Sequence, residues 1–181
     1  MAKLPAPPLA DALPAGSFEV VESRDDIPTI LVQPSALVGV CETLRDHPAL
    51  QFVICLDVTA ADHFPRQPRL DIVYHLVSTS QRLTLRIKVQ LQTVDDRVPT
   101  VSTVWRAANW LEREVWDLFG VTFTGHPQLE RLLTPDDWEG HPLRKDYPVQ
   151  VKLPVKTYQP LQLTEEEFRA NVEADKRLRR S

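Results

Sequence analysis

The stretch from Glu112 to Pro148, EREVWDLFGVTFTGHPQLERLLTPDDWEGHPLRKDYP, constrains the fold of this chain more than any other. All four tryptophans (Trp105, Trp110, Trp116, Trp138) and three of the five glycines (Gly120, Gly125, Gly140) lie in it or just before it. So do two His-Pro pairs, His126-Pro127 and His141-Pro142. Proline fixes φ, and glycine permits turns that other residues resist. Aromatic anchors, glycine turns and rigid prolines crowded together suit a surface shaped to fit another protein.

Upstream the pattern is that of a sheet. Phe52 to Thr59 is almost continuously apolar and predicts a central strand. Leu70 to Ser78 alternates in part. In Leu83 to Leu91 the apolar members Leu83, Leu85, Ile87, Val89 and Leu91 face one way, and Thr84, Arg86, Lys88 and Gln90 the other. The short connection Ser78 to Arg82 predicts an antiparallel hairpin between the last two. Ser17 to Glu22 and Thr29 to Gln33 read as short strands around a turn at Asp25 to Pro28. A helix over about 35–46 ends at His47-Pro48. Strands and helices do not alternate strictly. The expected fold is α+β: a mixed, largely antiparallel sheet with helices packed on one face, followed by an extended Pro-rich C-terminal tail. Residues 1–16, rich in Ala and Pro, are expected to be poorly ordered.

A helix is expected over about 100–119. Ala108, Leu111, Val115, Trp116, Leu118 and Phe119 share its apolar face, and Arg106, Trp110, Arg113 and Asp117 fall opposite. Gly120 is placed to end it in a left-handed conformation. Glu112 falls inside the apolar face, where an unpaired carboxylate costs several kcal/mol. The expected partner is Arg131 or Arg144, or an arginine of a neighbouring protein; an exposed Glu112 is the alternative. Arg113, Glu114 and Asp117 read as a solvated face or as partner contacts. Thr134-Pro135-Asp136-Asp137 reads as the start of a one-turn helix. Thr164 to Glu167 reads as a capping box opening a polar helix toward Arg179.

Chemistry is sparse. Five scattered glycines supply no phosphate-cradling GxGxxG turn, and no P-loop, GxSxG or HExxH occurs. Cys41 and Cys55 are the only cysteines, too few to ligate an iron–sulfur cluster, and are expected to be buried and inert. A net charge of −4 argues against a nucleic-acid binder. No apolar run approaches the roughly 20 residues that span a bilayer, and the N-terminus lacks a secretory pattern. The expected setting is the cytoplasm, or a membrane surface reached through partners. His126, His141, Asp136 and Asp137 are the strongest candidates for a metal or acid–base site, against packing or interface roles for each.

The run ERE, Asp117, Leu118-Phe119-Gly120, GHP and TPDDWEGHPLRKDYP resembles the C component of the respiratory NADH:quinone oxidoreductase (complex I), the homologue of the mitochondrial thirty-kilodalton subunit. The resemblance covers most of residues 50 to 150. Family members usually carry Arg, Lys or Pro where this chain has Glu130, and often a Pro-Gly break where it has Arg106-Ala107, so a kink is expected there. The resemblance implies a non-catalytic subunit of the hydrophilic arm of a proton-translocating complex. It would bind the large D component, whose fold is similar to nickel–iron hydrogenase large subunits, and neighbouring arm subunits. It would be peripheral on the cytoplasmic side of the inner membrane. The resemblance implies no catalytic, cofactor-binding or metal residue here, with FMN, iron–sulfur clusters and quinone on other subunits. Partner contacts are then expected from Glu112, Arg113, Glu114, Asp117, His126, Arg131, Trp138, His141, Arg144, Lys145, Asp146 and Tyr147. The expected organisation is a core domain over 17–125, an extended partner-binding segment over 126–160 and a C-terminal helix within 161–181. Alternatives are the equivalent subunit of a related membrane-bound hydrogenase, or a stand-alone enzyme using His126, His141 and Asp136.

Overall fold

The computed structural model describes residues 6–148 and 164–178. Residues up to Pro148 form one compact unit, and those from Val149 a second. The first unit holds β1 (Phe18–Val21), β2 (Thr29–Val32), a 3-10 turn (Pro34–Ala36) leading into α2 (Leu37–Asp46), β3 (Ile54–Asp62), β4 (Leu70–Ser78), β5 (Leu83–Leu91), β6 (Arg97–Pro99), α3 (Ala108–Phe119) and β7 (Thr122–Thr124). A short helix, α1 (Ala6–Ala12), precedes them.

The main sheet runs β1-β2-β5-β4-β3. β4 and β5 pair antiparallel in unbroken register from Leu70↔Leu91 to Ser78↔Leu83, the hairpin that the alternation predicts. β2 joins β5 in parallel, the one parallel pairing in an otherwise antiparallel sheet. Period-2 alternation turns Ile72, Tyr74, Leu76, Leu85 and Ile87 into a core that also takes Leu37, Leu44 and Val115 from the helices. Each fully buried Leu or Ile stabilises the fold by roughly 1.5–3 kcal/mol. On the other face, charged side chains pair across strands. Arg86 donates to His75 Nε2 at 3.0 Å and to Asp25, while Lys88 meets Asp71 at 3.4 Å.

Two expectations need correction. The apolar stretch from Phe52 is not central: β3 is an edge strand, and Val53, Ile54 and Leu56 are exposed. Continuous hydrophobicity reports that a segment is attractive to apolar partners, not how many neighbours it has. Residues 6–16 add a local element to this core. Ala-rich Ala6–Ala12 forms a turn or two of helix, with its prolines in the first turn where a missing N–H costs nothing; Leu9 in it and Leu13 just beyond it are buried. The helix expected from residue 100 begins only at Ala108, because turns occupy Ser102–Ala107.

In the second unit α4 (Glu165–Leu178) opens as the capping box predicts. Glu167 N donates to Thr164 Oγ1 at 3.3 Å, and Thr164 N donates back to the Glu167 carboxylate at 2.9 Å. Residues 149–160 of the expected extended tail lie outside the described residues.

Candidate functional site

Helix α3 is the post on which the diagnostic block is wound. An α-helix leaves its last carbonyls without partners, and here the chain returns to fill them. Gly120 adopts φ +77 and donates its N–H to Trp116 O. His141 Nδ1 donates to Asp117 O at 2.9 Å, Leu143 N to Leu118 O at 3.0 Å, and Arg144 Nε to Phe119 O at 2.5 Å. The Arg144 cation also suits the negative end of the helix dipole. A Cβ at Gly120 would come within 2.1 Å of the Arg144 guanidinium, so a side chain there and the cap exclude each other. Burial lowers the His141 pKa, opposed by its bond to Asp117 O and reinforced by Arg144 and Arg131.

Asp117 anchors the next turn of the wrap. Its carboxylate, with no exposed surface, accepts three successive backbone N–H groups, from Leu132 (3.1 Å), Leu133 (2.8 Å) and Thr134 (2.9 Å). It also accepts the Thr134 hydroxyl and Arg131 Nη1, the latter at 2.9 Å. Burial alone would raise its pKa; the Thr134 hydroxyl and the amides outweigh burial and hold it well below the ordinary carboxylate range. Arg131 continues to Trp138 O at 2.6 Å. Thr134 therefore does not cap a helix. Residues 134–138 make a single turn closed by Trp138 N to Pro135 O, since the threonine hydroxyl is committed to Asp117.

Glu112, one and a half turns earlier, is equally buried but differently held. Its carboxyl accepts Val101 N at 2.8 Å and the Thr100 hydroxyl at 2.5 Å, and His126 Nε2 stands 3.9 Å away. No arginine among the described residues reaches it: Arg131 goes to Asp117 and Arg144 to the end of α3. Burial pushes its pKa up to about 7, only partly countered by the Thr100 and Val101 donors. His126 is fixed in turn. Gln128 N donates to its Nδ1 at 3.1 Å, and Nε2 donates to Asn109 O at 3.0 Å.

Several of the remaining expected contact residues are also engaged within the chain, though Glu114, Lys145 and Asp146 are exposed. Arg113 is 8% exposed rather than solvated, donating to Glu130 O at 3.1 Å and Arg131 O at 3.0 Å and lying 4.9 Å over the Trp110 ring. Glu130 thus serves through its main chain, whatever side chain it bears. Asp146 pairs with Arg69 at 2.7 Å; Lys145 N donates to Asp62 at 2.9 Å while its side chain is exposed. Tyr147 stacks on Trp138 and donates to Glu139 O at 3.2 Å. Glu114 is exposed. His126 and His141 bind different stations of α3 and do not converge with Asp136. Among the described residues no group of three or more His, Cys, Asp or Glu is placed to hold a metal ion. Cys41 and Cys55 are free and buried, and burial pushes the Cys55 thiol up to about 12.

The outward features of this region are others. Trp110 is 59% exposed. With Arg106, Arg113, Ser102, Asn109 and Gln128 it lines a surface cavity of about 420 Å³. The available signal was an aromatic residue on the polar arc of an amphipathic helix, between arginines four before and three after.

Comparison with known proteins places this geometry in a family context. The family described as "Respiratory-chain NADH dehydrogenase, 30 Kd subunit" matches residues 30–152. The C component of the NADH-quinone oxidoreductase of Geobacter sulfurreducens is 46% identical over 143 residues, covering 78% of this chain and 86% of the relative. Its counterpart in a Roseiflexus species is 43% identical over 141 residues, covering 78% and 80%. Among solved structures, a trypsin-resistant fragment of Nqo5 superposes with a TM-score of 0.55 at 26% identity, over 68% of this chain and 98% of that one. A chain of the membrane-bound sulfane sulfur reductase, an archaeal respiratory membrane complex, gives 0.66 at 26% identity, over 80% and 84%.

Proposed function

The chain belongs to the family of the respiratory-chain NADH dehydrogenase 30 Kd subunit, and on that footing we propose that it is a non-catalytic, peripheral subunit binding the large D component of an NADH:quinone oxidoreductase. It lies in the hydrophilic arm, on the cytoplasmic side of the inner membrane, and reaches that membrane through its neighbours. Among the described residues no helix is long and apolar enough to cross a bilayer. FMN, iron–sulfur clusters and quinone belong to other subunits. This one supplies a rigid body against which the electron-carrying chains keep their spacing as electrons pass from NADH to quinone.

The observation that carries this reading is the family match over residues 30–152. The geometry supports a role in holding shape: the polar groups of the diagnostic block are engaged with one another, as in the Asp117, Arg131 and His141 bonds. The resemblance to the sulfane sulfur reductase chain favours a second reading, the corresponding subunit of a related membrane-bound respiratory complex.

Affinity purification of the tagged full chain from solubilised membranes of its host tests both. Co-purification with the large D component and with NADH:quinone reductase activity is the expected result, with no such activity in the chain alone. Recovery with the subunits of a sulfur reductase or hydrogenase selects the second reading. Quinone reduction by the isolated chain, or capture without any large subunit, overturns both.

A further inference from the structure

We propose that the cavity beside Trp110, bounded by Arg106 and Arg113, is a docking site for an acidic side chain carried on a loop or helix of a partner protein. This rests on the reading of the chain as one subunit of a larger complex and names one surface it uses.

Three observations converge. First, the Trp110 ring is 59% exposed although it occupies α3, and one face is covered by the Arg113 guanidinium at 4.9 Å. An indole this exposed, stiffened by a cation over its face, is the kind of anchor that carries binding energy at protein interfaces. Second, the positive charge is uncompensated. Arg113 is 8% exposed, yet its hydrogen bonds go to two main-chain carbonyls and it has no carboxylate partner among the described residues. Arg106 is exposed and makes no side-chain hydrogen bond or ion pair among them. Glu130, the acidic neighbour, is held by the Gln128 amide at 2.8 Å rather than by either guanidinium. In a chain of net charge −4, this is a local cationic site. Third, about 420 Å³ of space lies between these groups, with Ser102, Asn109 and Gln128 on its wall to bond what enters.

A carboxylate entering there meets a guanidinium already held in place, and the hydrocarbon beside it covers the indole. Burial of a charge is tolerated when it is both paired and hydrogen-bonded, which the wall provides. An acidic lipid surface is the lesser match: such surfaces are read by clusters of about four to eight cations, and this rim holds two.

The test uses the assembled complex. The Arg106→Glu and Trp110→Ala chains, each tagged, are co-expressed with the untagged wild type. Their share of incorporation into the purified complex is read by mass spectrometry, beside a Glu19→Gln control on the distant, exposed β1. A photo-crosslinking benzoyl-phenylalanine at position 110 identifies the neighbour. Expected are a roughly tenfold or greater under-representation of both variants, the size typical of an interface anchor, unaffected control incorporation, and a crosslink to a protein segment containing Asp or Glu. Equal incorporation of variants and wild type, or crosslinking to lipid alone, overturns the proposal while leaving the chain within the complex. Absence of even the wild-type chain from the complex overturns the assembly reading, and this proposal with it.

Discussion

Glu112 and Asp117 lie five positions apart on one helix, both with no exposed side-chain surface, and yet they are opposite kinds of acid. Asp117 sees three amides, a hydroxyl and a guanidinium, and its charged form is stabilised. Glu112 sees one amide and one hydroxyl with no cation in contact, and burial raises its pKa to about 7. The difference teaches that burial alone does not set protonation; the count and charge of the donors decide whether its effect is overcome. It also divides the work of α3. Its C-terminal half holds a charge that organises the loop above it, while its N-terminal half buries an acid whose proton is exchangeable near neutral pH.

The sharpest way to break this comparison is Asp117→Ala. It strands three amides and the Arg131 guanidinium, and should destabilise the full chain by about 3–5 kcal/mol in urea unfolding; a loss under about 1 kcal/mol would show that the loop does not depend on the carboxylate. Glu112→Gln probes the other half through pH. Folded Glu112 keeps its proton up to about pH 7, whereas in the unfolded chain it is lost near the ordinary value of 4.5. Between those values the folded state binds the extra proton, so wild-type stability falls as pH rises and levels off above 7. Relative to Glu112→Gln, the wild type should lose about 3 kcal/mol across that window. A constant difference at pH 5 and pH 7 would mean the acid is ionised throughout. Asp117 acts with the opposite sign: its contribution is complete above the ordinary value of 3.8 and disappears as pH falls below it.

Two smaller tests sharpen the C-terminal half. Gly120→Ala should cost about 2 kcal/mol, from a left-handed backbone that disfavours Cβ and from displacement of Arg144; thermal unfolding at fixed pH measures it, and an unchanged melting temperature would show that the cap is dispensable. Tyr147→Ala removes the stack on Trp138 and should cost about 1 kcal/mol. If instead it matched Asp117→Ala in size, the far end of the wrap, not the carboxylate, would be its anchor.

How much of this was legible in the sequence depends on which signal a residue leaves. β4 and β5 matched to the residue: clean alternation reports the half-buried β5 directly, and the short turn at Ser78 to Arg82 fixes β4 as its hairpin partner. Gly120 at the helix end and Thr164 at a helix start were equally plain, since each solves a local hydrogen-bonding problem with neighbours close in sequence. The position of β3 in the sheet was not legible: an apolar run says nothing about which strands lie beside it, or on how many sides. Arg113 and Asp117 were read as outward because periodicity treats charge as a mark of solvent, while their partners at 130–134 become neighbours only when the chain doubles back. Recognition of the family was secure from the motif; most of the residues it marked as partner contacts also engage one another within the fold, through pairings that only the folded chain reveals. Trp110 and Arg106 were placed on the outward arc of the helix, but neither was singled out as a contact, because each is ordinary alone.

The last turn of α3 is completed by residues 24 and 25 positions downstream, His141 on Asp117 O and Arg144 on Phe119 O. During synthesis that helix end must therefore wait. At the usual 5–20 residues per second, its closing groups follow it out of the ribosome by about 1–5 s. A nonsense or frameshift lesion just after Gly140 is thus a lesion in α3 itself, although every residue of that helix has already been translated.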